Sequence, residues 1–171
     1  EEGEIFVDGQ KVVFKNPVQS REAGIACVYQ ELNIVKQLPV TDNVFMGRAV
    51  KKGLLLDYPR MHAEAEEALK TLGHPEINVH LECGKLGVGQ QQMVEIAKAV
   101  SLDAKLIIMD EPTSSLGKEE IEQLMETVRG LKAKGVAILF VSHKLEELFE
   151  LCDRVTVMRD GEHIITEDTV N

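Results

Sequence analysis

Residues 106–117 read Leu-Ile-Ile-Met-Asp-Glu-Pro-Thr-Ser-Ser-Leu-Gly, and this stretch decides the fold. Its four leading apolar residues predict a strand that is buried on both faces, as is typical of a parallel sheet. Asp110 and Glu111 follow, and because neighbouring side chains of a strand point to opposite sides, the two carboxylates cannot share one task. Pro112 ends the strand, and a loop follows it. Ligands of open α/β sheets bind beyond the carboxyl ends of the strands, so both acids are well placed for metal and nucleophile chemistry.

Composition limits the class of protein. A chain of 171 residues is long enough for one domain with a sizeable core and a small lobe. The net charge of −10 argues against a protein that binds nucleic acid or an anionic membrane surface. Three well-separated cysteines give neither a zinc site nor a disulfide framework and suit a reducing compartment. No apolar run is long enough to span a bilayer, so we expect a cytoplasmic character. Because the sequence opens on Glu1 and not on methionine, we also expect a fragment or a trimmed chain.

Strands and helices alternate along the chain, with one long helical region among them. The predicted strands are 5–7 and 12–14 around the turn Asp8-Gly9, 25–29, 106–109, 136–141, 154–158 and 164–166. The predicted helices are 18–23, 41–46, Pro59 to Gly73, one around 93–100, 118–134 and 144–150. Thr41 or Asp42 can cap the second helix. The third helix carries an apolar stripe of Met61, Ala65, Ala68, Leu69 and Leu72. Strands separated by helices imply a parallel sheet with right-handed crossovers.

A glycine-rich segment opens the helix around 93–100. It reads Leu86-Gly87-Val88-Gly89-Gln90. Its glycines let backbone N–H groups approach an anion, the helix N-terminus adds a positive dipole end, and Gln90 can donate from its amide. Taken alone, such a pattern is more often a turn that merely starts a helix.

Two further polar residues follow predicted strands. His143 comes directly after the strand at 136–141, and a neutral imidazole offers one donor and one acceptor to a γ-phosphate or an attacking water. Gln30 follows the strand at 25–29, and its amide oxygen can ligate magnesium or orient water. For each residue alone a surface role is the stronger interpretation: a helix cap for His143 and a polar loop residue for Gln30.

The ordered set of motifs resembles the ATP-binding-cassette (ABC) ATPases. The matching segments are the glutamine loop 28–32, the signature 86–90, the Walker B strand 106–111, the D-loop 114–117 and the histidine switch His143. Residues 90–99, Gln-Gln-Gln-Met-Val-Glu-Ile-Ala-Lys-Ala, are similar to the first of two tandem cassettes in bacterial ribose-, galactose- and xylose-type importers. The resemblance implies an α/β fold: the parallel-sheet core of a P-loop NTPase (RecA-like) with an inserted all-helical subdomain.

The resemblance also implies an organisation and a setting. Residues 1–35 would be a remnant of the β-subdomain and core, 36–101 the helical subdomain, and 102–171 the core with Walker B, D-loop and histidine switch. The expected cofactors are ATP and Mg²⁺. The expected partners are a second cassette, transmembrane permease subunits and, indirectly, a periplasmic or extracellular sugar-binding protein, but no nucleic acid. The expected location is peripheral, on the cytoplasmic face of the bacterial inner membrane.

Residue roles carry over only through this resemblance. Asp110 would hold magnesium, Glu111 would polarise the attacking water, His143 would contact the γ-phosphate, and Gln30 would touch metal and water while relaying nucleotide state. The signature residues Gly87, Val88, Gly89 and Gln90 would close over ATP held by a second cassette, beside the D-loop residues Ser114, Ser115, Leu116 and Gly117. Catalysis of this kind is mainly positioning and charge stabilisation.

The sequence departs from the family pattern at several places. No Gly-x-x-x-x-Gly-Lys-Ser/Thr motif is present, so we expect the N-terminal strands and P-loop to be absent and the chain alone to hydrolyse no appreciable ATP. Residues 106–109 and 136–141 should then lack neighbours on one side, which predicts marginal stability. Gly87 replaces the family serine and should weaken the signature, and Gly117 replaces Asp or Thr.

Two other functions remain open at this point. One is a catalytically silent interaction module that keeps the signature face without turnover. The other is a chromosome-maintenance ATPase head, against which stand the acidic composition and the lack of a long heptad run between Gln30 and the signature.

Overall fold

The computed structural model describes residues 3–169. In chain order the elements are β1 (Ile5–Val7), β2 (Gln10–Val12), α1 (Pro17–Glu22), β3 (Ile25–Val28), α2 (Val40–Val44), β4 (Lys51–Lys52), β5 (Leu55–Leu56), α3 (Tyr58–Thr71), a 3₁₀ turn (Cys83–Lys85), α4 (Val88–Val100), β6 (Leu106–Asp110), α5 (Lys118–Ala133), β7 (Ala137–Val141), α6 (Leu145–Leu151), β8 (Arg154–Arg159) and β9 (Glu162–Asp168). The predicted parts 1–35 and 102–171 include positions 1, 2, 170 and 171, which lie outside the described residues.

A parallel sheet in the order β3-β6-β7 carries the predicted strand of residues 106–109 at its centre. The expectation that this strand lacks a neighbour is therefore wrong, because β6 pairs with β3 on one side and β7 on the other. The prediction that this strand is buried on both faces is also only half right. Ile107 and Met109 are fully buried, whereas Leu106 and Ile108 on the opposite face are half-buried.

Strand β7 has the open edge that the sequence predicts. Within residues 3–169 it pairs only with β6, and Leu139 and Val141 are about half exposed. The strand predicted at 154–158 does not extend this sheet. As β8 it forms a separate antiparallel hairpin with β9, and an apolar groove lies between β7 and β8. The Asp160-Gly161 turn accounts for this, since both residues have positive φ and a tight turn makes β9 the nearest pairing partner.

The helical region follows its apolar periodicity with small differences. The predicted stripe is buried on α3, which begins at the Asp57 cap and ends before Gly73 at φ +86°. Helix α2 begins one residue early, because Thr41 is buried inside it and donates its hydroxyl to the Val79 carbonyl (3.1 Å) instead of capping. A short hairpin, β4–β5, also interrupts the region predicted to be all helical.

One hydrophobic core joins the helical region to the sheet. Helix α4 is its centre: it packs against α2, α3, α5 and β3, and Met93, Ile96 and Ala97 are fully buried. The glycine-rich segment at the start of this helix is thereby held by a rigid element. Strand β2 ends at Val12 instead of Phe14, because the two-residue turn at Asp8 and Gly9 starts pairing at Gln10.

Candidate functional site

The carboxyl ends of the three parallel strands meet at one edge of the sheet. Val28 is in register with Met109, and Asp110 is in register with Val141. Gln30 therefore follows β3, Glu111 follows β6, and His143 follows β7 at this same edge. The arrangement matches the position expected for ligand chemistry in an open α/β sheet.

Glu111 and His143 are in contact. Nδ1 of His143 lies 3.2 Å from Oε1 of Glu111, and the imidazole is largely exposed while the carboxylate is mostly covered. The backbone fixes this pair, because the Glu111 N–H donates to the Val141 carbonyl (2.9 Å) and so ties the end of β6 to the end of β7. The result is a carboxylate and an imidazole side by side, with the ring open to solvent.

The backbone at Glu111 is unusual. Its φ is +43°, in the left-handed region that residues other than glycine seldom adopt. The Ser114 N–H donates to the Glu111 carbonyl (3.1 Å) and closes the turn around Pro112. Strained backbone of this kind persists only where the surroundings enforce it, and it concentrates at functional sites.

A polar network behind this pair was not predicted from the sequence. The Glu147 carboxylate, buried on α6, accepts hydrogen bonds from the hydroxyls of Thr113 (2.9 Å) and Ser142 (3.0 Å). Lys144 pairs with the same carboxylate (3.0 Å) and also donates to the Thr113 hydroxyl (3.2 Å). The loop after Glu111 is thus joined to the segment that carries His143.

The predicted D-loop residues lie between this network and α5. Ser114, Ser115 and Gly117 are exposed and Leu116 is half-buried. Gly117 is the N-cap of α5, and the Leu116 N–H donates to the Thr113 carbonyl (3.2 Å).

The glycine-rich segment presents its first residues to solvent. Gly87 and Val88 are exposed at the start of α4, Gln90 is half-buried and Gly89 is buried. The expectation that both glycines offer free N–H groups to an outside anion is only partly met. The Gly89 N–H donates to Oε1 of Glu120 on α5 (3.0 Å), a carboxylate of the same chain.

Titratable groups near the signature helix are perturbed by burial. Glu95 on α4 is 5% exposed, and burial raises the pKa of its carboxyl. Burial likewise raises the pKa of the Cys83 thiol to about 11. Both shifts disfavour the charged form at neutral pH.

Asp110 and Gln30 are the residues that could hold a metal. Both are exposed at the edge of the sheet, and they offer carboxylate and amide oxygens, the donor chemistry of magnesium. Residues 3–169 contain no group of three or more His, Cys, Asp or Glu that could enclose an ion. This donor set fits Mg²⁺, which is commonly held by one or two protein oxygens together with substrate phosphates.

In the part of the chain that the structure describes, no helix is both long and apolar enough to cross a membrane.

Comparison with known proteins identifies close relatives. The ribose import ATP-binding protein RbsA of Chromobacterium violaceum is 46% identical over 159 residues, which are 93% of this chain and 32% of that protein. The galactose/methyl galactoside import ATP-binding protein MglA of Clostridium perfringens is 48% identical over 167 residues, 96% of this chain and 32% of that protein. The chain thus spans about a third of the length of these curated relatives.

Solved structures support the fold alone, because their sequences are distant. A nucleotide-free ATP-binding cassette from an ABC transporter superposes with a TM-score of 0.85 at 24% identity, over 99% of this chain and 71% of that one. A dimeric post-hydrolysis cassette bound to ADP and Pi gives a TM-score of 0.78 at 24% identity, over 99% and 75%. The family model described as ABC transporter matches residues 1–114. The chain therefore belongs to the ABC transporter family.

Proposed function

We propose that this chain is part of an ATP-binding subunit that couples ATP hydrolysis to the import of a monosaccharide through a membrane ABC transporter. One observation carries the proposal: Glu111 and His143 lie 3.2 Å apart, at the ends of adjacent parallel strands and open to solvent. The import ATP-binding proteins that are 46–48% identical support the sugar-import assignment.

Glu111 acts as the general base in this proposal. Its carboxylate accepts a proton from the attacking water. The left-handed backbone at Glu111 (φ +43°) supports a functional role for this residue. An ionised carboxylate can only accept hydrogen bonds, so Nδ1 of His143 is the donor in their contact and Nε2 of the neutral ring is left as an acceptor. Protonation would turn Nε2 into a second donor, suited to a phosphate oxygen.

Asp110 and Gln30 are the proposed magnesium-side residues. Bound Mg²⁺ would neutralise charge on the phosphates of ATP. The task of these two residues is to present oxygen atoms beside the Glu111–His143 pair, from the ends of β6 and β3. Gln30, on the loop after β3, would also relay nucleotide state to a transmembrane subunit.

The signature segment 86–90 and the D-loop 114–117 form the proposed face toward a second cassette. Their exposed residues, Gly87, Val88, Ser114 and Ser115, are the ones available to such a partner. The other proposed partners are permease subunits and, through them, a sugar-binding protein. These partners would place the chain peripherally on the cytoplasmic face of the inner membrane.

Phosphate release tests the proposal. The protein that carries this chain is reconstituted with its transmembrane subunits in lipid nanodiscs, with and without binding protein loaded with ribose, galactose or arabinose. Glu111→Gln should lower turnover by about 10²-fold or more. Glu119→Gln, an exposed carboxylate on α5, is the matched control and should leave turnover unchanged. Unchanged turnover in Glu111→Gln, or no stimulation by any of the three sugars, would contradict the assignment.

A further inference from the structure

Glu120 joins two segments that are far apart in sequence. Its Oε1 atom accepts a hydrogen bond from the Gly89 N–H (3.0 Å), and its Oε2 atom accepts one from the Gly117 N–H (2.9 Å). Gly89 belongs to the signature segment at the start of α4, and Gly117 ends the D-loop at the start of α5. One carboxylate therefore bridges the N-termini of two helices.

Electrostatics favours this bridge. The first N–H groups of a helix have no partner within the helix, and the dipole makes its N-terminus positive. Glu120 satisfies one such donor at the start of α4 and the cap N–H of α5, so a single negative charge serves both positive ends. Helices α4 and α5 also pack against each other, and the Thr127 hydroxyl on α5 lies 3.7 Å from the Met93 sulfur on α4.

The Glu120 side chain occupies the space beside the Gly89 Cα atom. A Cβ atom at Gly89 would lie 2.8 Å from Oε1, 2.9 Å from Cγ and 3.0 Å from Cδ of Glu120, so the Glu120 side chain would have to shift. At Gly87, by contrast, a Cβ would meet nothing within 4 Å. A side chain at position 89 would therefore displace the Glu120 carboxylate and disturb its hydrogen bonds to Gly89 and Gly117.

We propose that Glu120 is a positioning residue that couples the signature segment to the D-loop. The two segments then move as one unit, and the Glu120 carboxylate sets the backbone of the signature segment before a second cassette meets it. The part of this inference that concerns the second cassette rests on the proposed function. The bridge itself does not, so the two can be tested apart.

NMR of the ¹⁵N-labelled chain tests the bridge. In Glu120→Ala, amide hydrogen exchange at both Gly89 and Gly117 should speed up about 10-fold or more, because each loses a charge-assisted hydrogen bond. Glu120→Gln should release only one of the two amides, since its NH₂ group cannot accept. Glu119→Gln, one position away and exposed, is the matched control and should change neither. If Glu120→Ala releases Gly117 alone, Glu120 is only a helix cap and the proposal is wrong.

Turnover of the reconstituted transporter tests the coupling. Glu120→Ala should raise the ATP concentration for half-maximal turnover by about 10-fold with a smaller effect on kcat, because it disturbs closure over ATP and not the base. Glu119→Gln, the exposed neighbour on α5, is the control and should leave the ATP dependence unchanged. No shift in the ATP dependence of Glu120→Ala would overturn the coupling. If Glu111→Gln did not lower turnover, the proposed function would be wrong, but the NMR result on the Glu120 bridge would be unaffected.

Discussion

Replacing Glu147 by alanine should destabilise the protein well beyond an ordinary surface substitution. The change removes the acceptor for two hydroxyls, those of Thr113 at 2.9 Å and Ser142 at 3.0 Å. Thr113 is only 2% exposed, and its hydroxyl loses the acceptor for its proton while it still accepts from Lys144, which costs about 1–3 kcal/mol. The half-buried Ser142 adds about 0.5–1.5 kcal/mol. Lys144 is partly exposed, so loss of its ion pair adds little. The sum is about 1.5–4.5 kcal/mol.

Equilibrium urea unfolding measures this cost. The midpoint should fall while the slope against urea stays constant, which identifies a change of stability and not of compactness. Glu147→Gln keeps one oxygen acceptor and should cost about half as much. Glu146→Gln, the exposed neighbour on α6, is the control and should stay within about 0.5 kcal/mol of the parent. A Glu147→Ala midpoint equal to that of the control would refute the network as a structural tie between the loop after Glu111 and the segment carrying His143.

Three further predictions follow from burial and pairing. Because burial raises the pKa of Glu95, the stability that this carboxyl contributes is present below its unfolded-state pKa and is lost as the pH rises through its folded-state pKa. Urea unfolding between pH 4 and 8 should therefore show a free energy of unfolding that falls with pH, and Glu95→Gln should remove this part of the slope. An unaltered slope in the variant would contradict the raised pKa. The Cys83 thiol, with its pKa raised to about 11, should react slowly with Ellman's reagent at pH 8 and faster as the pH approaches 11. Fast labelling of the folded protein at pH 8 would contradict the raised pKa. In hydrogen exchange, β7 should exchange faster than β6, since it has one paired edge and β6 has two; equal protection would mean that another segment covers β7.

Local sequence signals predicted much of the architecture because they are periodic. The apolar run before Asp110 and the stripe on α3 each follow from the spacing of their own residues: the stripe is buried as predicted, and the run forms a strand that is fully buried on one face and half-buried on the other. The edge of the sheet that collects Glu111 and His143 was also predictable, because parallel strands present their carboxyl ends together. The roles of these residues stay predictions.

The polar contacts that hold the site could not be predicted from the sequence. Glu147 meets Thr113 across 34 positions, and Glu120 meets Gly89 across 31. Each carboxylate lies on a helix where a surface position is the ordinary expectation, and nothing in the spacing tells which one turns inward. The pairing of β8 was also predicted wrongly. The alternation of strands and helices predicts that β8 joins the parallel sheet, but the tight turn after β8 favours antiparallel pairing with β9.

The central position of β6 has a consequence for how the chain folds. Its partner β3 ends at Val28, so the whole stretch 29–105 must loop back before the two strands can pair. Closing a flexible loop of that length costs about 4 kcal/mol in chain entropy. The helical region shortens this search when it folds first, because its contacts are nearer in sequence and α4 carries the chain directly to β6. Variants that loosen α3 or α4 should therefore slow refolding, even though they touch neither strand of the pair.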